Sequence, residues 1–133
     1  KEQAEKKAVR VSKIYGGSPI VSTFEIQDDF RKIDGIKVKD FGLETTEEWA
    51  KFVMNNRNRT FTNVKDTLCN KDNKYDIVIG PVADDNMALL FRQYENEIID
   101  FETLLKGMIY KKTSSQYSFH TEKSIKLLRK VGK

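Results

Sequence analysis

Cysteine and histidine are nearly missing from this chain: Cys69 and His120 stand alone among 133 residues. A single cysteine excludes an internal disulfide framework and fits a reducing compartment, for which the cytoplasm is the default. With one cysteine and one histidine, the chain also falls short of the roughly four N/S ligands of a structural zinc site, so no metal is expected. No apolar run approaches the length of a membrane span or a signal-peptide core. Charge of one sign does not dominate either, because 24 Lys and Arg are interleaved with 20 Asp and Glu for a net +4. That balance does not call for nucleic acid. Glycine-rich phosphate loops are absent as well: Gly16-Gly17-Ser18 follows a helical pattern instead of opening one. Methionine first appears at Met54, and the chain starts Lys1-Glu2-Gln3, a start expected of a processed product or of part of a longer chain.

A hydrophobic share of 38 % with 11 % aromatics is enough for one folded domain over residues 1–133. Residues 1–15 place Ala4, Ala8, Val11 and Ile14 at helical spacing, with lysines between them, and Gly16-Gly17 ends that helix. Residues 19–26 and 36–41 read as strands, the second at a sheet edge. Thr45 followed by Glu48 has the spacing of a capping box, and a helix over residues 46–57 buries Trp49, Phe52 and Val53 on one face. Residues 55–63 read as a loop or frayed helix end, with Phe61, Val64 and Leu68 in a short helix or an ordered connection.

Residues 75–79 form a continuous apolar strand, cut off by Gly80-Pro81. Asp84 or Asp85 caps a helix to about Glu95 carrying Met87, Leu90, Phe91 and Tyr94 inward; Asp100 caps another over residues 101–110 with Leu104, Leu105 and Met108. After a turn at 111–115, residues 116–120 form a strand, and Thr121 caps a last helix that points Ile125, Leu128 and Val131 inward. Strands and helices without regular alternation argue an α+β fold.

Both late strands break off into polar residues, which carries side chains to the rim of a cleft. Asp84 and Asp85, after one strand, have two readings: helix capping, which needs only one carboxylate, and binding of a sugar hydroxyl or a cation at the rim. Gln116, at the head of the other, either caps a strand end or faces a ligand. Cys69 has no positioned base beside it and reads as a buried thiol. His120 reads as a turn or surface histidine before a catalytic one, and the terminal lysines as solvated helix faces.

Three blocks carry a resemblance. They are YDIVIGPVADD over residues 75–85, a W-x-x-F-V-x-x-N-R helix formed by Trp49, Phe52, Val53, Asn56 and Arg57, and a closing segment with Gln116, Phe119, Thr121, Lys123, Ser124 and Leu127. In these the chain resembles, over nearly its whole length, the C-terminal part of a bacterial family catalogued as domain of unknown function three-nine-nine-zero and grouped with the ADP-ribosyltransferases. The resemblance implies an ADP-ribosyltransferase-like mixed sheet with flanking helices, truncated at its N-terminus, from a protein acting on NAD as a transferase or hydrolase.

By that resemblance Gln116 stands at the nicotinamide ribose, where a strand near the end of such domains presents a residue that is often Glu, and Asp84 or Asp85 lies near the rim. Cleaving the bond to nicotinamide builds positive charge on the anomeric carbon, which a carboxylate stabilises. A neutral Gln can hydrogen-bond the ribose hydroxyls but cannot serve as a base. Related proteins also carry a YHGS-like strand, whose His binds the adenosine-side ribose, and a DFG-x-GFY-x-T segment on which nicotinamide stacks. Neither is present here; Asp40-Phe41-Gly42 continues into Leu43-Glu44-Thr45, a helix entry. The chain by itself is therefore expected to bind NAD weakly and to be inactive. The alternative is a non-catalytic interaction module that pairs with a small partner protein, in the manner of toxin and antitoxin.

Overall fold

The computed structural model describes residues 2–109 and 114–132, apart from the side chains of Asp85 and Ile109. The fold is α+β, with five α-helices and two small sheets among the described residues. In chain order the elements are α1 (Glu2–Tyr15), β1 (Thr23–Ile26), a 3-10 turn (Phe30–Lys32), β2 (Val38–Asp40), α2 (Glu47–Arg57), β3 (Ile77–Pro81), α3 (Asp85–Glu95), α4 (Phe101–Ile109), β4 (Ser115–Phe119), α5 (Glu122–Ile125) and β5 (Leu128–Val131).

One sheet has the order β2-β3-β4, with β2 parallel and β4 antiparallel to β3, which leaves β2 at an edge as its alternation predicts. The other is the antiparallel pair β1 and β5. Because side chains alternate across a strand, β3 has two different faces. Ile77 and Ile79, with Phe119 from β4, pack into a cluster around Phe30 of the 3-10 turn, joined by Ile26, Ile33, Ile36, Val38 and Leu127. Beyond the opposite face lies the larger core, where α2, α3 and α4 contribute Trp49, Ala50, Met54, Met87, Phe91, Leu104 and Met108.

Several expectations are corrected. The strand expected over residues 75–79 runs instead from Ile77 through Gly80 and Pro81. Proline lacks the N–H of a ladder, but β2 has already ended, so Pro81 pairs only with Ser115 of β4. Thr46, not Thr45, caps α2 by accepting the Trp49 N–H at 3.2 Å, while the Thr45 hydroxyl donates to the Met108 carbonyl. The strand expected over residues 19–26 is confined to β1.

The last helix is a single turn. Thr121 and Ser124 close a capping box around α5, and the chain then becomes β5 to pair with β1. That pairing sends Leu127 into the Phe30 cluster and leaves Ile125 and Val131 exposed. The helix α1 forms as its spacing predicts, and Gly16 and Gly17 end it with φ of 82° and 87°, a region that favours glycine. It buries no residue, so its apolar positions serve no core within the described residues. Tyr110 and residues 111–113, expected to end α4 and begin the next turn, lie outside the described residues.

Candidate functional site

A cleft of about 220 Å³ opens between α2 and the face of β3 and β4 that Val78 and Gly80 occupy. Register builds one wall: Val78 pairs with Ser118 and Gly80 with Gln116, so these four share a face, and His120 continues it. The helical spacing of 49, 52, 53, 56 and 57 builds the other, since residues three, four, seven and eight apart lie along one side of a helix. Trp49, Phe52, Val53, Asn56 and Arg57 all line the cleft. Phe41, just past β2, completes it, its ring 4.9 Å from that of Phe52.

Trp49 is 2 % exposed. A Cβ added at Gly80 would lie 3.1 Å from its Cδ1 and 3.3 Å from its Nε1, so glycine is what lets the indole approach the strand this closely. The Nε1–H has no acceptor among the described residues, although its backbone N–H is capped by Thr46. Arg57 donates to the Ala83 carbonyl at 3.3 Å and forms no ion pair among the described residues. Asn56 and Asn70 are committed to structure: Asn56 Oδ1 accepts the Asn70 N–H at 2.8 Å, and the Asn70 side chain bonds both backbone groups of Tyr75.

Beside the cleft, the stretch between α2 and β3 is an ordered connection. Lys74 holds it by donating to the carbonyls of Val64, Asp66 and Cys69, so its ammonium replaces the backbone partners that irregular chain lacks. Cys69 is buried, its Sγ 3.9 Å from Asn56 Oδ1.

Asp76 ties the lower end of the sheet together. Its buried carboxylate accepts the Lys37 N–H at 2.7 Å and the Thr121 hydroxyl at 2.7 Å, and Lys123 Nζ lies 3.5 Å away. Burial pushes its pKa up, but the hydrogen bonds from Lys37 and Thr121 and the nearby ammonium outweigh it, and the net shift is downward. His120, whose N–H donates to the Asp76 carbonyl, has its pKa lowered by partial burial.

Among the expected site residues, Gln116 lines the cleft, with an exposed side chain that has no hydrogen-bond partner among the described residues. Asp84 does not line it. It is the N-cap of α3, accepting the Met87 N–H at 2.9 Å, one residue beyond the Ala83 carbonyl that Arg57 touches. Asp85 opens α3, and its side chain lies outside the described residues. Sequence reasoning assigned Trp49, Phe52 and Val53 to the core and gave no ligand role to Phe41, Asn56 or Arg57. The signal for Asn56 and Arg57 was available, because both continue the helical stripe that Trp49 begins. Among the described residues no three of His, Cys, Asp and Glu come together as a metal site would require, and no helix is long and apolar enough to cross a membrane.

No curated protein and no solved structure matches the chain. A sequence family does, over residues 1–129: the chain belongs to the family described as Protein of unknown function (DUF3990).

Proposed function

We propose that this chain forms part of an ADP-ribosyltransferase-like protein acting on NAD, as transferase or hydrolase, with Gln116 hydrogen-bonded to the nicotinamide ribose. The observation that carries the reading is convergence. All three sequence blocks behind the resemblance contribute to one cleft: the stripe Trp49, Phe52, Val53, Asn56 and Arg57, then Val78, Gly80 and Pro81, and Gln116 from the closing segment. Residues 49, 78 and 116 are far apart in sequence, and two of the blocks bring a polar side chain, Arg57 and Gln116, to one opening. At about 220 Å³ the cleft is smaller than the roughly 300–1,000 Å³ of sites for drug-sized ligands, which suits one moiety of a dinucleotide. Asp84, fixed as a helix cap by its Oδ1, contributes at the rim through its second carboxylate oxygen. The single cysteine favours a cytoplasmic setting.

The test is nicotinamide release, measured for this chain and for a longer form in which a segment carrying the YHGS-like and DFG-x-GFY-x-T motifs precedes Lys1. The chain alone should release none. In the longer form Gln116→Ala should lower turnover, and Gln116→Glu should preserve or raise NAD hydrolysis by placing a carboxylate beside the developing positive charge. Turnover indifferent to both substitutions would make Gln116 a structural residue.

A second reading, a non-catalytic module that binds a small protein, is favoured by one feature. The helix α1 exposes Val9, Val11, Ile14 and Tyr15 and buries nothing. Absence of any NAD binding, together with pairing to a partner that masks α1, would establish it.

A further inference from the structure

A buried tryptophan normally finds an acceptor for its indole N–H, since a desolvated donor left unpaired is costly. Trp49 has none among the described residues, and its pyrrole edge lies against Gly80 on the cleft side of β3. Two other polar side chains reach the same end of that strand, Gln116 without a hydrogen-bond partner among the described residues and Arg57 without an ion pair among them. Gln116 is the register partner of Gly80, and Arg57 donates to the carbonyl of Ala83, two residues past the strand's end. Phe41, Phe52 and Val53 make one side of the cleft apolar, and Ser118 and His120 stand on the other. An unpaired N–H donor, a guanidinium and apolar side chains lining one cleft together describe a ligand: a flat ring bearing an oxygen acceptor, with negative charge on or near it. Water could satisfy the donor alone, but it would leave the apolar side of the cleft without a partner.

We propose that this cleft binds a heteroaromatic ring carrying a carboxamide or carboxylate, with Trp49 Nε1–H donating to its carbonyl oxygen and Arg57 taking the adjacent anionic group. Where the ligand is NAD, this rests on the reading above and assigns the carboxamide-bearing ring to Trp49 and the pyrophosphate to Arg57. A free aromatic carboxylate offers the same chemistry in a smaller molecule. In either case Gly80 is a specificity element, because any side chain there would displace the indole edge that makes the contact.

Trp49 is the sole tryptophan, so the uniformly 15N-labelled chain gives one indole N–H cross-peak, which reads this contact directly even when binding is weak. Nicotinamide, nicotinate, NAD and inorganic pyrophosphate are titrated in turn. The cross-peak should move saturably with nicotinamide and nicotinate and stay in place with pyrophosphate. Arg57→Gln should weaken nicotinate by about tenfold, the scale of one charge-assisted hydrogen bond, and leave nicotinamide unchanged. Trp49→Phe, followed by ligand-observed saturation transfer, should weaken both.

A cross-peak indifferent to every ring ligand overturns the proposal, as does undiminished binding to Trp49→Phe. If the small rings move the peak and NAD neither moves it nor binds by calorimetry, the subsite stands and the NAD reading falls. If NAD binds and shifts other resonances but not this one, the NAD reading stands and the subsite falls.

Discussion

The two faces of β3 belong to one five-residue strand, yet they meet different surroundings. On one, Ile77 and Ile79 are almost fully buried in an apolar cluster with Phe30, Phe119 and Leu127, and the polar groups nearby, Asp40 and Arg31, pair with each other at its edge. On the other, Val78 and Gly80 face Ser118, Gln116, His120 and an indole whose N–H has no acceptor among the described residues. A face needed only for packing has little use for an exposed amide or for a donor with no acceptor among the described residues. The contrast teaches where to look for chemistry in this protein: on the even-numbered side, where the rules of a good core are broken in several places at once.

That comparison can be broken most directly by truncating the large side chain on each side. Trp49→Ala should cost about 3–5 kcal/mol and Ile77→Ala about 2–5 kcal/mol in denaturant unfolding, because both leave cavities in packed surroundings. The two should then part company: a marginally folded Ile77→Ala should keep any ring-ligand binding, and Trp49→Ala should lose it. Near-wild-type stability for Trp49→Ala would show that the cleft wall is not part of the core.

Asp76 sharpens the comparison from the end of the sheet. Its folded pKa lies below the usual carboxylate value, so the stability it contributes is complete above about pH 3.9 and is lost as pH falls through the lowered folded value. Asp76→Asn should therefore cost about 1–3 kcal/mol near neutral pH. The gap between the variant and the wild type should close in strong acid, where the wild-type carboxyl is protonated as well. A gap independent of pH would mean that the hydrogen bonds to Lys37 and Thr121 matter as geometry and not as charge.

Gly80→Ala should have the smallest effect. The added methyl lowers the conformational entropy of the unfolded chain, which favours folding, but meets the indole at 3.1 Å and Phe41 Cβ at 3.4 Å. Because that ring is wedged against Phe91, with centroids 6.0 Å apart, the crowding should win by about 1 kcal/mol. The indole cross-peak should shift at the same time. A stabilised variant with an unmoved indole would show slack on the cleft side of the strand that the opposite face does not have.

Much of this fold was legible because short-range chemistry decided it. Glycine pairs end α1, Asp84 and Asp100 cap α3 and α4, accepting N–H groups at 2.9 and 2.7 Å, and the 3.6-residue period placed Met87, Phe91, Leu104 and Met108 inward. The edge position of β2 and the cleft-facing Gln116 follow from alternation, which is also local.

What the sequence could not decide were the outcomes that depend on a distant partner. Gly80-Pro81 reads as a stop until β4 supplies a ladder on the side where proline's missing N–H does no harm. The last residues read as a helix until β1 takes them as a strand, since the order of apolar residues fits either and only the pairing chooses. The stripe from Trp49 to Arg57 looks like core plus a solvated helix end. Only the packing of α2 across β3 and β4 leaves a gap along that stripe, because Gly80 lets the indole in while Gln116 and Ser118 supply no apolar surface to fill the space beside it.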